Sequence, residues 1–135
     1  GRGFTVRNGS DVTIIACGVP MRFAREAVEE LAEQGVDARL IDMATIKPLD
    51  AELILAAARE TGAIVTLEEH NVYSGLGSSV ASLVAENQPV PVLRCGIPDQ
   101  FGESGTYEEI LERAGISTAH VVETALKAME LKSAS

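Results

Sequence analysis

His70 and its neighbours carry most of the chemistry open to this chain. The stretch from Ala63 to Ser79 reads A-I-V-T-L-E-E-H-N-V-Y-S-G-L-G-S-S. An imidazole titrates near neutrality, so His70 is a candidate acid or base, with Glu68 or Glu69 to orient it. Successive strand residues point to opposite faces, so at most one of these carboxylates can reach the ring directly. A hydrolase would also need an activated nucleophile beside the base. Ser78, Ser79 and Ser104 are available, yet none lies in G-x-S-x-G, and Ser104 sits in G-E-S-G. The alternative is that Glu69 and His70 pin the loop through backbone hydrogen bonds. A lone titratable histidine with no partner nucleophile favours that alternative.

Other chemistries have less support. Gly75 and Gly77, after a strand and at a helix start, suit a backbone that approaches an anion. The third glycine of G-x-G-x-x-G is replaced by Val80, however, and no lysine completes a P-loop. The competing role for the two glycines is close helix packing against a neighbouring backbone. A metal site lacks ligands: the second histidine, His120, is fifty residues from His70, and Cys17 and Cys95 form no C-x-x-C. His120 falls on the polar side of a helix with Glu123 and Lys127. Each cysteine ends an expected strand, which reads as a buried free thiol in a reducing compartment.

The elements that position these residues follow from periodicity. Phe4–Arg7 alternates as an edge strand does, and Asn8-Gly9 is a turn signal. Val12–Cys17 is apolar almost throughout, as in a strand covered on both faces. A helix over Met21–Gln34 stops at Gly35, and its outer charges (Arg22, Arg25, Glu26, Glu29, Glu33) read as a solvated face. Ala38–Met43 is a third strand. Asp50 caps the next helix, flanked by the staple pair Leu49 and Ile54, and Gly62 ends it. The strand Ile64–Leu67 turns polar at Glu68 and leads to a helix running to Glu86, with an apolar face at Leu76, Val80, Leu83 and Val84. Val90–Cys95 contains Pro91, which places it at a sheet edge. Gly96–Gly105, G-I-P-D-Q-F-G-E-S-G, reads as one loop. Thr106 and Glu109 then form a capping box for a short helix ending at Gly115. Ser117 caps a last helix with a buried stripe at Val122, Ala125, Leu126 and Met129, and Lys132–Ser135 is expected to fray. Alternating strands and helices predict an α/β fold, a three-layer α/β/α sandwich on a mainly parallel sheet.

With 135 residues and 46% hydrophobic content, the chain reads as a single domain over residues 1–135. A net charge of −9 argues against nucleic acid, and scattered Lys and Arg against an anionic membrane surface. The apolar runs are too short for a membrane span. No signal peptide is visible, so a cytoplasmic location is expected. The chain begins at Gly1 and not at Met, which reads as a processed or excised piece.

Three segments together carry a resemblance: T-I-K-P-L-D (Thr45–Asp50), V-T-L-E-E-H-N-V-Y-S-G-L-G-S (Val65–Ser78) and G-I-P-D-Q-F-G-E-S-G (Gly96–Gly105). In order and spacing the chain resembles the C-terminal domain of a transketolase, over Asp11–Lys132. Deoxyxylulose-phosphate synthases and the β subunits of 2-oxo-acid dehydrogenases share that fold, but their versions of the last segment look different. The resemblance implies a five-stranded sheet in order 1-3-2-4-5 with strand 1 antiparallel, whereas Asn8-Gly9 alone suggests a hairpin between strands 1 and 2. It also implies that thiamine diphosphate and Mg sit between a pyrophosphate-binding and a pyrimidine-binding domain. Neither the G-D-G…N motif nor the activating glutamate of those domains occurs here. This chain would thus bind no cofactor and carry no catalytic residue.

What the resemblance implies is an assembly domain, inactive alone. Its partners would be the pyrimidine- and pyrophosphate-binding domains or a subunit that carries them, within a homodimer. The whole enzyme would move a two-carbon ketol unit between sugar phosphates in the pentose phosphate pathway. Two other hypotheses stay open. One is a small-anion or nucleotide-binding module using the loop Glu69–Ser78 (Glu69, His70, Asn71, Val72, Tyr73, Gly75, Gly77 and Ser78), and the other is a hydrolase using His70. A docking domain should also expose apolar groups, for which Val72, Tyr73 and Phe101 are the candidates.

Overall fold

In a computed structural model, residues 2–44, 48–69, 75–97 and 105–134 are described. Nine elements follow one another: β1 (Phe4–Arg7), β2 (Val12–Ala16), α1 (Pro20–Glu33), β3 (Ala38–Asp42), α2 (Ala51–Thr61), β4 (Ile64–Glu69), α3 (Leu76–Asn87), β5 (Val92–Ile97) and α4 (Tyr107–Ala134). The sheet has the order β1-β3-β2-β4-β5. β1 runs antiparallel to β3 with an irregularity between Thr5 and Arg7, and every other pair is parallel. The expected order and the antiparallel edge strand are both present.

Strand alternation divides the core in two. Ile14, Leu40, Val65, Leu67 and Cys95 face α1 and α4, where Phe23, Leu31, Val121 and Ala125 cover them. Ile15, Ile41 and Ile64 face α2 and α3, against Ile54, Ala57, Leu76, Val80 and Val84. The result is the three-layer sandwich. Buried polar groups on the α2 side are largely paired: the Thr13 and Thr61 hydroxyls lie 2.8 Å apart, and Thr61 also donates to the Ala57 carbonyl.

The expected helix punctuation holds at several ends. The Asp50 side chain accepts from the Leu53 amide at 3.3 Å, and Gly62 takes the left-handed conformation at φ +76°. Gly35 does the same after α1, at φ +80°. Lys132, which the sequence placed in a fraying end, is instead held. Its Nζ donates to the carbonyls of Asp11 and Thr61, both at 2.6 Å, tying the end of α4 to the amino ends of β2 and β4.

Three other local expectations are corrected, and at Asn8-Gly9 the pairing implied by the resemblance holds over the turn signal. Asn8-Gly9 makes no β1–β2 hairpin, because Gly9 is pressed against the backbone of Ala38 and Arg39, where no side chain would fit. β4 does not end at Leu67, since Glu68 and Glu69 pair with Gly96 and Ile97 of β5. β5 accordingly begins after Pro91 and takes in two residues expected to lie in the loop. Ladder pairing satisfies their backbone groups, and that outweighs the polar composition. Finally, a single α4 replaces the two expected helices. Ser117 and Thr118 are buried, and Thr118 donates sideways to Glu26 of α1 at 2.7 Å. The tertiary contact uses the hydroxyl-bearing turn that the sequence assigned to a cap.

Candidate functional site at the carboxyl edge of the sheet

β2, β4 and β5 all finish at one edge, and the chemistry-bearing residues gather there because parallel strands release their loops on the same side. Glu68 and Glu69 close β4 and are half-buried. Gly75 opens α3 at φ +77°, a backbone state that favours glycine, and as the N-cap it has no side chain of its own to cap the helix. The first turn of α3 then brings Gly77 and Ser78 down onto the sheet.

Gly77 meets side chains there, where a neighbouring backbone was expected. A Cβ at Gly77 would come 2.6 Å from Arg94 Nε and 3.0 Å from Glu68 Oε2. Arg94, which is cross-strand from Thr66, donates through Nη2 to the Ser78 hydroxyl. The bare α-carbon of Gly77 therefore leaves room for Arg94 on its way to Ser78, and for the Glu68 carboxylate. Thr66 is fully buried, and its hydroxyl has no hydrogen-bond partner among the described residues. Arg94 is the member of this group that the sequence did not single out. A lone cation within V-P-V-L-R-C, on the strand beside the chemistry-bearing one, was the available signal.

The rest of the described edge is acidic. Cys17 follows β2, and burial raises its thiol pKa, with the charges of Asp42, Glu68 and Glu69 adding to the effect. Cys95 lies on the opposite face of the sheet, where burial pushes its pKa up to about 11 against a small opposing hydrogen bond to Thr124. Both thiols are free and stay protonated at neutral pH, so neither is primed as a nucleophile. The Ser78 oxygen accepts a hydrogen bond from Arg94, which draws electron density away from it and leaves it a poor nucleophile. A diphosphate is poorly matched to the described part of this edge, where the Arg94 guanidinium is hydrogen-bonded to Ser78, and where Glu68, Glu69 and Asp42 place negative charge near Cys17. No group of three metal-ligating side chains occurs among the described residues.

His70, Asn71, Val72, Tyr73, Phe101 and Ser104 lie outside the described residues. Of the expected site, Gly75, Gly77 and Ser78 lie at the start of α3 and Glu69 at the end of β4 on the same edge, and Glu68, expected only as a neighbour of His70, lies close to Gly77. His120 is exposed on α4, remote from a role at this edge by its position on the outer face.

Residues 1–121 match the family model described as "Transketolase, C-terminal domain". The chain belongs to this family. It is 42% identical over 98% of its length to a 6-deoxy-6-sulfo-D-fructose transketolase subunit of Clostridium sp., covering 41% of that protein. It is 43% identical over 94% of its length to one of the subunits of an apulose-4-phosphate transketolase from Phocaeicola vulgatus, covering 40% of that protein. It is 41% identical over 93% of its length to a 1-deoxy-D-xylulose-5-phosphate synthase of Heliobacterium modesticaldum, covering 20% of that protein. A solved structure titled "Split gene transketolase, inactive beta4 tetramer" superposes with a TM-score of 0.82 at 46% identity, over 97% of this chain and 43% of that one. The chain thus spans about two fifths or less of the proteins it resembles. No helix among the described residues is long and apolar enough to cross a membrane.

Proposed function

We propose that this transketolase C-terminal domain serves assembly: it holds together an enzyme whose chemistry is done elsewhere. One observation carries the proposal. The edge where an α/β protein would place a ligand is here occupied by the Arg94–Ser78 hydrogen bond, with Glu68 also close to Gly77 and further carboxylates near Cys17. Such an edge suits a protein contact better than an anionic cofactor. The whole enzyme would use thiamine diphosphate and Mg, bound by pyrimidine- and pyrophosphate-binding domains or a companion subunit. It would transfer a two-carbon ketol unit between sugar phosphates, as a cytoplasmic homodimer. That two relatives are named as transketolase subunits supports a partner of this kind. The synthase relative keeps open the equivalent domain of a deoxyxylulose-phosphate synthase.

Assaying the chain with and without the remainder of its enzyme tests this. Ketol transfer from a ketose phosphate to an aldose phosphate is expected only when the two are combined. Transfer by the chain alone, or undiminished transfer by the remainder without it, would refute an assembly role.

A further inference from the structure

Lys132 is where the last turn of α4 is held to the body. Its neighbours in that turn, Glu130, Leu131, Ser133 and Ala134, are exposed. Lys132 extends the buried stripe of Val121, Ala125 and Ala128 by one more step of four, so its side chain starts out over the body. The aliphatic stem runs against Gly62, where a Cβ would come 3.2 Å from Lys132 Cδ. Nζ then reaches two carbonyls from separate elements, Asp11 just ahead of β2 and Thr61 at the end of α2. The Thr61 carbonyl lies in the last turn of its helix, without an intrahelical donor and at the negative end of the dipole. An ammonium suits that end, and its three donors let it serve both carbonyls at once.

Without that contact the same turn would come away. Its stretch L-K-S-A-S offers one apolar side chain, Leu131, which is 42% exposed, and helix ends fray unless they are tied down. We infer that Lys132 is a charge latch and an acylation site: the bound ammonium closes the last turn of α4 over the amino ends of β2 and β4, and acylation holds that turn open. The reaction belongs to the open state, in which the deprotonated Nζ attacks the carbonyl of an acyl thioester. The N–C bond forms as the C–S bond breaks, and the sulfur leaves as a thiol with the proton from nitrogen. The product is neutral and keeps one N–H, so it cannot bridge two carbonyls. Closed and open turns are then two states whose balance the modification shifts. The latch stands independently of the assembly role proposed above.

Trace acetylation of the folded chain with an acetyl thioester, read by mass spectrometry, tests the closed state against Lys127, which is exposed on the same helix. Lys132 should react about tenfold or more slowly than Lys127 in buffer, because charge-assisted hydrogen bonds must open first, and at the same rate in urea. Equal rates in buffer would overturn the latch. A Lys132 that stays unmodified once Lys127 is fully acetylated would overturn the modification site. Hydrogen exchange tests the open state. Lys132→Gln, neutral like the acylated product, should speed exchange of the amides in residues 130–134 by about tenfold or more and leave those of Val121 and Ala125 as in the parent. Lys132→Arg keeps a cation and should stay close to the parent. Unchanged exchange in Lys132→Gln, or equal acceleration by both variants, would overturn control by charge. The acetylation measurement needs no variant, so it decides the matter whatever the fold tolerates at position 132.

Discussion

Arg94 lies so close to the α-carbon of Gly77 that any side chain there must displace it. Gly77→Val should therefore lower the midpoint of thermal unfolding, since overpacking typically costs about 1–3 kcal/mol. If the arginine is the obstacle, the loss should shrink when Arg94→Ala is made as well, with a coupling on the order of 1 kcal/mol. Equal losses in both backgrounds would show that Gly77 makes room for something else. The requirement for small residues at positions 75 and 77 was legible in the sequence, from glycines in phase with a helix start. What they make room for was not. A cross-strand neighbour is set by register, and register depends on how all the strands assemble.

At the scale of elements, most boundaries were legible, and the misses share a cause. Asp50, Gly35 and Gly62 mark helix ends by local chemistry, which a sequence shows directly. The ends of β4 and β5 are decided jointly, because Glu68 and Ile97 are strand residues only by virtue of each other's strand. α4 is the clearest case. Gly115 and Ser117 signal a break, yet the helix runs on, with Val121, Ala125 and Ala128 locked against the body. A Cβ at Gly115 would meet nothing within 4 Å. Gly115→Ala should then stabilise the protein by about 0.5–1 kcal/mol, the usual helix preference for alanine over glycine. Destabilisation, measured by urea unfolding, would mean that the chain turns at Gly115.

At the scale of the molecule, the sheet order followed from the resemblance, whereas Asn8-Gly9 alone pointed to a different first pairing. The three layers were legible from periodicity alone. The edge chemistry was legible only as a place, since more than half of its candidate residues lie outside the described ones and the comparisons speak of the family rather than of their roles. An assembly domain should be indifferent to its enzyme's cofactor until the rest of the enzyme is present. Isothermal titration of the isolated chain with thiamine diphosphate and Mg measures this most directly. The assembly account predicts no saturable heat with the chain alone. Saturable binding tighter than about 1 mM, roughly −4 kcal/mol, would contradict it.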